Sequence, residues 1–135
     1  MPLVRIDLIE HRSPEQVREV ADAIHEAIVE ILGIPEGDRF QIVTSHKANE
    51  IIALDAGLGF ERTGQLVMIH IFTQTGRSPE IKQQLFALLS DKLGEVGVPA
   101  EDVFVGITEN TAADWSFGFG RAQYMTGELA VPGPS

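Results

Sequence analysis

The tetrapeptide Arg12-Ser13-Pro14-Glu15 recurs as Arg77-Ser78-Pro79-Glu80 within a chain of 135 residues. A second match follows, because Gly33-Ile34-Pro35-Glu36-Gly37-Asp38-Arg39-Phe40 is echoed by Gly97-Val98-Pro99-Ala100-Glu101-Asp102-Val103-Phe104. The offset is 65 residues for the first match and 64 for the second, which is a difference of one residue in helix length. Agreement at both ends of two similar segments indicates an internal duplication, and this repeat decides the fold.

The first half reads as strand, helix and strand. Leu3–Ile9 alternates and is rich in β-branched residues, which predicts a strand. Ser13 and Gln16 have the spacing of a capping box, and Gly33 predicts the helix end. Residues 40–44 predict the returning strand. The predicted inward face of the helix consists of apolar residues at helical spacing: Val17, Val20, Ile24, Ala27, Ile28 and Ile31.

The second half repeats this pattern. Residues 66–73 predict a strand, Ser78 caps the next helix, Gly97 closes it, and residues 103–108 return. The predicted inward face of this helix is again apolar: Ile81, Leu85, Leu88, Leu89 and Val96. Strands joined by a crossing helix are parallel with a right-handed connection. We therefore expect an α+β fold of duplicated β-α-β units, a four-stranded sheet with both helices on one face.

The same pattern divides one domain over residues 1–135 into four parts. The first β-α-β unit covers residues 2–44, and the second covers residues 65–108. Residues 45–64 form a turn-rich or hairpin insertion between them. The aromatic tail, residues 109–135, is expected to pack on this domain or on a neighbouring subunit, with only residues 131–135 frayed. One sheet face has no helix layer, so we expect a homo-oligomer that buries it.

Composition excludes several classes of function. The net charge of −10 disfavours nucleic-acid binding, and a site for an anionic substrate would need a local cation. Cysteine is absent, which removes disulfides and thiolate chemistry, and no pair of histidines has metal-ligand spacing with a carboxylate. Neither a signal peptide nor an apolar run of spanning length is present, so a cytoplasmic location is expected by default.

The repeat also predicts which residues meet. Parallel strands start at one end of the sheet, so Pro2 and Asp38 lie together there. If the halves are related by a pseudo-two-fold axis, the third strand runs antiparallel to the first, and residues 74–77 end beside Pro2. Removal of Met1, expected before a small residue, would make Pro2 a secondary amine. An imino group, a carboxylate and the guanidinium of Arg77 would then converge.

The chain resembles the tautomerase superfamily, and within it the malonate semialdehyde decarboxylase family. The resemblance runs nearly the whole length, and its most specific part is the tail motif. The matching residues are Pro2-Leu3, Asp7-Leu8-Ile9-Glu10, Ile34-Pro35, Asp38-Arg39, Gly57-Leu58-Gly59-Phe60, Ala113-Asp114-Trp115-Ser116-Phe117-Gly118-Phe119-Gly120-Arg121-Ala122-Gln123 and Thr126-Gly127-Glu128-Leu129.

This resemblance implies a homotrimer, no cofactor and an amino-terminal proline as the catalytic amine. Pro2 would be that amine, Asp38 its acidic neighbour, and Arg77 the carboxylate holder beside Gln74 and Thr75. An apolar wall would consist of Trp115, Phe117, Phe119 and Leu129. Better-known members carry two arginines, at about Thr75 and Arg77, whereas this chain keeps only the second. Side activities that need both, such as hydration of acetylenic acids, are therefore not carried over.

The implied reaction is decarboxylation of malonate semialdehyde to acetaldehyde and carbon dioxide, a carboxy-lyase activity with weak tautomerase activity beside it. Protonated Pro2 could donate to the aldehyde oxygen, or neutral Pro2 could form an iminium ion, and the sequence leaves both open. One alternative is keto–enol tautomerisation of a pyruvate-type enol, with Pro2 as general base. Another is a binding protein that kept the fold without the chemistry.

Overall fold

The computed structural model describes residues 2–131, with four strands and three α-helices. In chain order the elements are β1 (Leu3–Ile9), α1 (Pro14–Leu32), β2 (Phe40–His46), β3 (Val67–Gln74), α2 (Pro79–Gly94), β4 (Val103–Asn110) and α3 (Gln123–Thr126). Single 3₁₀ turns cover Ala48–Glu50, Ala100–Asp102 and Ala112–Asp114. The expected loss of Met1, and fraying beyond Val131, fall on residues outside this description.

The strands form one sheet in the order β2-β1-β3-β4. β1 pairs parallel with β2, β3 pairs parallel with β4, and the two units meet through the antiparallel pair β1–β3. Leu3 of β1 faces Phe72 of β3, and Leu8 faces Val67, so the two halves are related by an approximate two-fold axis. The predicted α+β fold and its pseudo-two-fold arrangement are confirmed. β2 and β4 each extend two residues beyond the predicted ends.

The helix ends follow the capping residues of the repeat. In α1 the Gln16 N–H donates to Ser13 Oγ at 3.2 Å, and the Ser13 N–H donates to Gln16 Oε1 at 2.9 Å. Gly33 ends α1 in the left-handed conformation, with φ of +66°. The second helix corrects the sequence prediction, because α2 ends at Gly94 rather than at Gly97. Gly97, with φ of +90°, instead turns the chain after the helix has ended.

The core lies between the two long helices and one face of the sheet. Alternate residues of β1 and β3 point into it, and each helix buries the centre of its predicted apolar face against it. Four members of those faces are only partly covered, namely Val17, Ile31, Ile81 and Leu88, and Val96 lies beyond the end of α2. Leu93, which the sequence reading passed over, is fully buried. The largest fully buried side chains are Ile6, Leu8, Ile24, Ile28, Ile71, Leu85, Leu89 and Leu93.

The opposite face of the sheet has no layer over it. Its exposed apolar side chains include Phe40 and Ile42 of β2 and Phe104 of β4. The strand alternation that points Val4 and Ile6 inward points Leu3 and the other odd-numbered residues of β1 outward to this face. An uncovered apolar sheet face on a small domain is typical of a surface that another copy or partner covers.

Residues 47–66 form an irregular arm, and no strand lies within it, so the hairpin alternative is wrong. Its base is bound to the body by buried polar groups. Asp102 accepts hydrogen bonds from the N–H of Thr63 at 2.7 Å and from its Oγ1 at 2.5 Å. Arg12 Nη2 donates to the carbonyl of Gln65 at 2.9 Å and to its Oε1 at 3.0 Å. Within the arm, Ile52 and Leu54 are exposed.

The aromatic tail packs on its own chain, which is one of the two arrangements predicted from the sequence. Trp115 Nε1 donates to Asn110 Oδ1 at 2.9 Å, which ties the tail to the end of β4. Gln123 Oε1 accepts from the Phe117 N–H at 2.9 Å. Among residues 2–131, no helix has the length and apolar character needed to cross a membrane.

Candidate active site

Pro2 lies at the end of the sheet where three strands meet. Its neighbour Leu3 pairs with Phe40 in β2 and with Phe72 in β3, so Pro2 is level with Arg39 on one side and with Thr73 on the other. Pro2 is buried. The register therefore places its nitrogen between the start of β2 and the end of β3.

Asp38 and residues 74–77 are at this same end. Asp38 lies two residues before β2, in a turn where its N–H donates to the Pro35 carbonyl at 3.0 Å. On the other side, Thr75 N–H donates to the Asn110 carbonyl at 2.8 Å, which joins the segment after β3 to the end of β4. The backbone segments that the repeat predicted to meet therefore do meet.

Arg77 is more enclosed than a surface arginine before a helix would be, with 7% of its surface exposed. Its Nη1 donates to Thr73 Oγ1 at 3.1 Å and to the Gln74 carbonyl at 3.4 Å. Its Nε and Nη2 atoms are buried with no hydrogen-bond partner among the described residues. Burial lowers the pKa of Arg77, and the nearby Tyr124 and Glu109 partly oppose this. The cation is thus buried with two of its donors unpaired within residues 2–131.

Tyr124 joins the predicted residues into one cluster, and the sequence analysis missed it. Its side chain is buried on α3. Burial raises the pKa of the Tyr124 hydroxyl, and the negative charge of Asp38 raises it further. A hydrogen bond with the Gln74 side chain and the positive charge of Arg77 both lower it. Asp38, Gln74 and Arg77 therefore all lie close enough to influence one phenol. The available signal was that Tyr124 is the one aromatic residue of the tail that carries a hydroxyl.

Two of the four predicted wall residues form an aromatic cluster beside Pro2. Trp115 stacks on Phe117 with ring centroids 6.0 Å apart, and Phe117 meets Tyr124 edge-on at 5.5 Å. Phe117 also approaches Phe40 of β2 at 5.7 Å. A cleft of about 440 Å³ opens along this cluster, with Leu3 and Phe72 on its sheet side.

Phe119 and Leu129 do not line that cleft in the single chain. Phe119 is 92% exposed, and among residues 2–131 its one ring contact is with the guanidinium of Arg121, 5.2 Å from the centroid. Leu129 is half-buried, and its N–H donates to the Gln123 carbonyl at 3.1 Å. Thr75 is exposed after the end of β3.

A wider cavity of about 570 Å³ lies on the uncovered sheet face, away from Pro2. It contains the pair Asp7–His46, whose Oδ1 and Nε2 atoms are 2.6 Å apart, and it is otherwise largely apolar. Because it lies on the face that lacks a layer, toward the end of the sheet opposite Pro2, we regard the Pro2 end as the better candidate despite its smaller cleft. Within residues 2–131, no group of three or more His, Asp or Glu side chains could hold a metal ion.

This chain, with its duplicated β-α-β sheet and the residue cluster at the Pro2 end, belongs to the tautomerase family. Two family profiles match it, one over residues 38–118 and the other over residues 2–61, and each describes a tautomerase enzyme. The chain is also 45% identical over 130 residues to the probable tautomerase YrdN of Bacillus subtilis strain 168. That match covers 96% of this chain and 100% of the relative. The family is enzymatic.

Two of the similar solved structures are malonate semialdehyde decarboxylases. The chain is 58% identical to FG41 malonate semialdehyde decarboxylase inhibited by 3-bromopropiolate, with a TM-score of 0.94, covering 96% of this chain and 99% of that one. A second malonate semialdehyde decarboxylase, associated with decarboxylase and hydratase activities, is 38% identical with a TM-score of 0.92, covering 95% and 99%. A fused 4-OT solved as an asymmetric trimer shares the fold alone, at 24% identity and a TM-score of 0.73, covering 92% and 98%.

Proposed function

We propose that this protein decarboxylates malonate semialdehyde to acetaldehyde and carbon dioxide without a cofactor. The observation that supports this best is the full-length similarity to a malonate semialdehyde decarboxylase at 58% identity. The polar cluster of Asp38, Gln74, Arg77 and Tyr124 at the Pro2 end supports it independently. Such a cluster offers donors for a carboxylate and a carbonyl in one small space.

Pro2 is the proposed catalytic amine. As Cα–carboxylate cleavage releases carbon dioxide, the bonding electron pair moves toward the carbonyl oxygen, and protonation of the resulting enolate carbon gives acetaldehyde. A protonated Pro2 that donates to that oxygen lowers the barrier, and Asp38 nearby would keep the amine charged. In the alternative route, neutral Pro2 adds to the aldehyde, and the adduct takes up a proton and loses water to form an iminium ion, which accepts the pair and becomes an enamine. Hydrolysis of the resulting enamine then returns Pro2.

The carboxylate of the substrate is assigned to Arg77, with Gln74, Thr75 and the Tyr124 hydroxyl as neighbouring hydrogen-bond donors. Arg77 has two buried donors without partners, and a buried guanidinium pairs strongly with a carboxylate. The bond from Arg77 to Thr73 gives it an alternative role in positioning the end of β3.

The aromatic wall of Trp115, Phe117, Phe119 and Leu129 would favour loss of charge from the carboxylate by excluding water. We assign the protein to a homotrimer, as the fused 4-OT trimer and the uncovered sheet face suggest. A cytoplasmic location remains part of the proposal.

The test is a coupled assay of acetaldehyde formation from malonate semialdehyde, with carbon dioxide measured in parallel. Wild type and the Pro2→Ala variant are compared after intact-mass analysis shows that Met1 has been removed from both. A retained Met1 would make the Pro2 nitrogen an amide and would abolish the proposed route. Absence of carbon dioxide release by the processed wild type would refute the decarboxylase. Borohydride added during turnover separates the two routes, since only the iminium route leaves a reduced adduct on Pro2.

Tautomerase activity is the second candidate, and the probable tautomerase at 45% identity favours it. Here neutral Pro2 acts as general base on a pyruvate-type enol. The protonation state of Pro2 decides between the two functions, because a mainly cationic amine at neutral pH cannot serve as that base. The pH dependence of ketonisation, compared with that of decarboxylation in the same preparation, gives the answer. A preparation with neither activity would leave the non-catalytic binding protein.

A further inference from the structure

Phe119 is held in solvent by a turn that is built to keep it there. Its φ of +59° lies in the left-handed region, which residues other than glycine rarely adopt, and glycines with positive φ flank it on both sides. With 92% of its surface exposed, it is far more open than any other aromatic side chain of residues 2–131, the next being Phe104 at 46%. A strained backbone that exposes a phenyl ring is a feature expected where the ring has a use.

The surrounding contacts make this turn rigid. Gln123, which is buried, clamps its base, because Oε1 accepts from the Phe117 N–H at 2.9 Å and Nε2 donates to the Gly118 carbonyl at 2.8 Å. On the other side Arg121 forms a two-point ion pair with Glu128, at 3.0 and 3.1 Å. The same guanidinium lies against the Phe119 ring. The ring therefore projects from a braced support.

The aromatic cleft next to Leu3 is large enough and apolar enough to take such a ring. Its volume of about 440 Å³ leaves room for a phenyl ring next to a small substrate, and Phe40, Phe72, Trp115 and Phe117 supply apolar surface. In its own chain Phe119 contacts none of these rings. The cleft is continuous with the uncovered sheet face through Leu3, Phe40 and Phe72, so a neighbour that covers the face also reaches the cleft.

From this geometry we infer that Phe119 of one subunit inserts into the aromatic cleft of the next, so that each active site is completed in trans. The inference rests on the proposed homotrimer. A closed ring of three identical subunits needs two different, mutually complementary patches on each subunit. The braced Phe119 turn and the aromatic cleft are such a pair. The expected wall of Trp115, Phe117 and Phe119 is then built from two chains, which explains why Phe119 is absent from the cleft of one.

Engineered disulfides test the contact without reference to activity, because the natural chain contains no cysteine. Phe119→Cys and Ser116→Cys, at the turn and at the cleft, are placed in separate, differently tagged chains that are co-expressed and mildly oxidised. We expect the tagged heterodimer as the main product on a non-reducing gel, with the 116–119 link found by peptide mass spectrometry. Gln84→Cys, on an exposed position of α2, replaces Phe119→Cys in the control pair and should give no such product.

Two results would overturn the inference. One is the absence of a 116–119 link between chains, whether light scattering shows the preparation to be oligomeric or monomeric. The other is a link that forms only when both cysteines are in one chain, because Phe119 would then close over its own cleft. Both results can be read even if the protein has no decarboxylase activity, so they are separate from a failure of the proposed function.

If the enzyme is active, subunit complementation gives a second reading. Pro2→Ala chains keep Phe119 but lack the secondary amine, and Phe119→Ala chains have the reverse defect. In equal mixtures, half of the Phe119→Ala sites receive a ring from a Pro2→Ala neighbour, so activity should recover to about a quarter of wild type per chain. Action within one chain predicts no recovery above the average of the two variants.

Discussion

Asp38 and Asp102 occupy equivalent positions in the two halves of the duplication, yet they have different surroundings. Asp102 has 0% of its surface exposed, and it accepts both hydrogen bonds that Thr63 can donate. Asp38 is half-exposed, and its negative charge helps to raise the pKa of the Tyr124 phenol. In the second repeat the carboxylate thus holds Thr63 of the arm, whereas in the first repeat it lies beside the candidate site.

This contrast predicts opposite effects of the same substitution. Asp102→Asn should lower the free energy of unfolding by about 1–3 kcal/mol, because a buried charged acceptor is replaced by an amide that also brings unpaired donors. Asp38→Asn should change stability little but reduce kcat. Urea unfolding and steady-state kinetics on both variants provide the measurement. Equal loss of stability in the two would contradict the division of roles.

Arg77 and Arg12 form the second equivalent pair. If Arg77 holds the carboxylate, Arg77→Met should raise KM about tenfold or more, since a charge-assisted hydrogen bond contributes about 1.5–3 kcal/mol. Arg12→Met should leave KM unchanged and loosen the arm at Gln65. An Arg77→Met variant that melts early but retains its KM once folded would show that Arg77 only positions Thr73 and the end of β3.

The hydroxyl of Tyr124 predicts an alkaline limit to stability. Burial raises the pKa of Tyr124 in the fold above its usual value of about 10. A raised pKa means that the folded state favours the neutral phenol. Stability is therefore complete below about pH 10 and falls as the pH rises through the folded pKa. Because the chain has one tyrosine, ultraviolet titration follows this group directly. Tyr124→Phe should remove this part of the alkaline loss.

The end of α1 gives a prediction about backbone strain alone. Gly33→Ala should destabilise the fold by about 1 kcal/mol, because Gly33 has φ of +66° and alanine is unfavourable there. Gly37→Ala is the matched control, since both sites have open space around the added methyl group and only Gly33 has a positive φ. Thermal unfolding should therefore separate the two variants. Equal midpoints would argue against strain at Gly33.

The repeat made most of the topology predictable. Once two β-α-β units were recognised, a pseudo-two-fold axis between them predicted that β1 and β3 run antiparallel, which brings Pro2, Asp38 and residues 74–77 to one end. Local capping signals at Ser13 and Ser78 were equally informative, because a cap interacts with residues within one helical turn.

What escaped the sequence analysis depends on contacts between distant residues. The arm is irregular because Asp102 and Arg12 bind its base from 39 and 53 positions away, and no periodicity records such contacts. Tyr124 lies on a four-residue helix, too short for a recognisable pattern. The exposure of Phe119 depends on a braced turn, of which only the flanking glycines are visible in the sequence.

The position equivalent to Pro2 in the second half is Val67, because Leu3 pairs with Phe40 as Met68 pairs with Phe104, and the nitrogen of Val67 belongs to an ordinary peptide bond. The second end of the sheet can therefore never present an amine, and its Asp102, Arg12 and Thr63 need only be compatible with folding. Equivalent positions of the duplication should then differ in the substitutions they tolerate. A saturation library scored separately for abundance and for turnover would show the two scores agreeing around Val67 and diverging around Pro2.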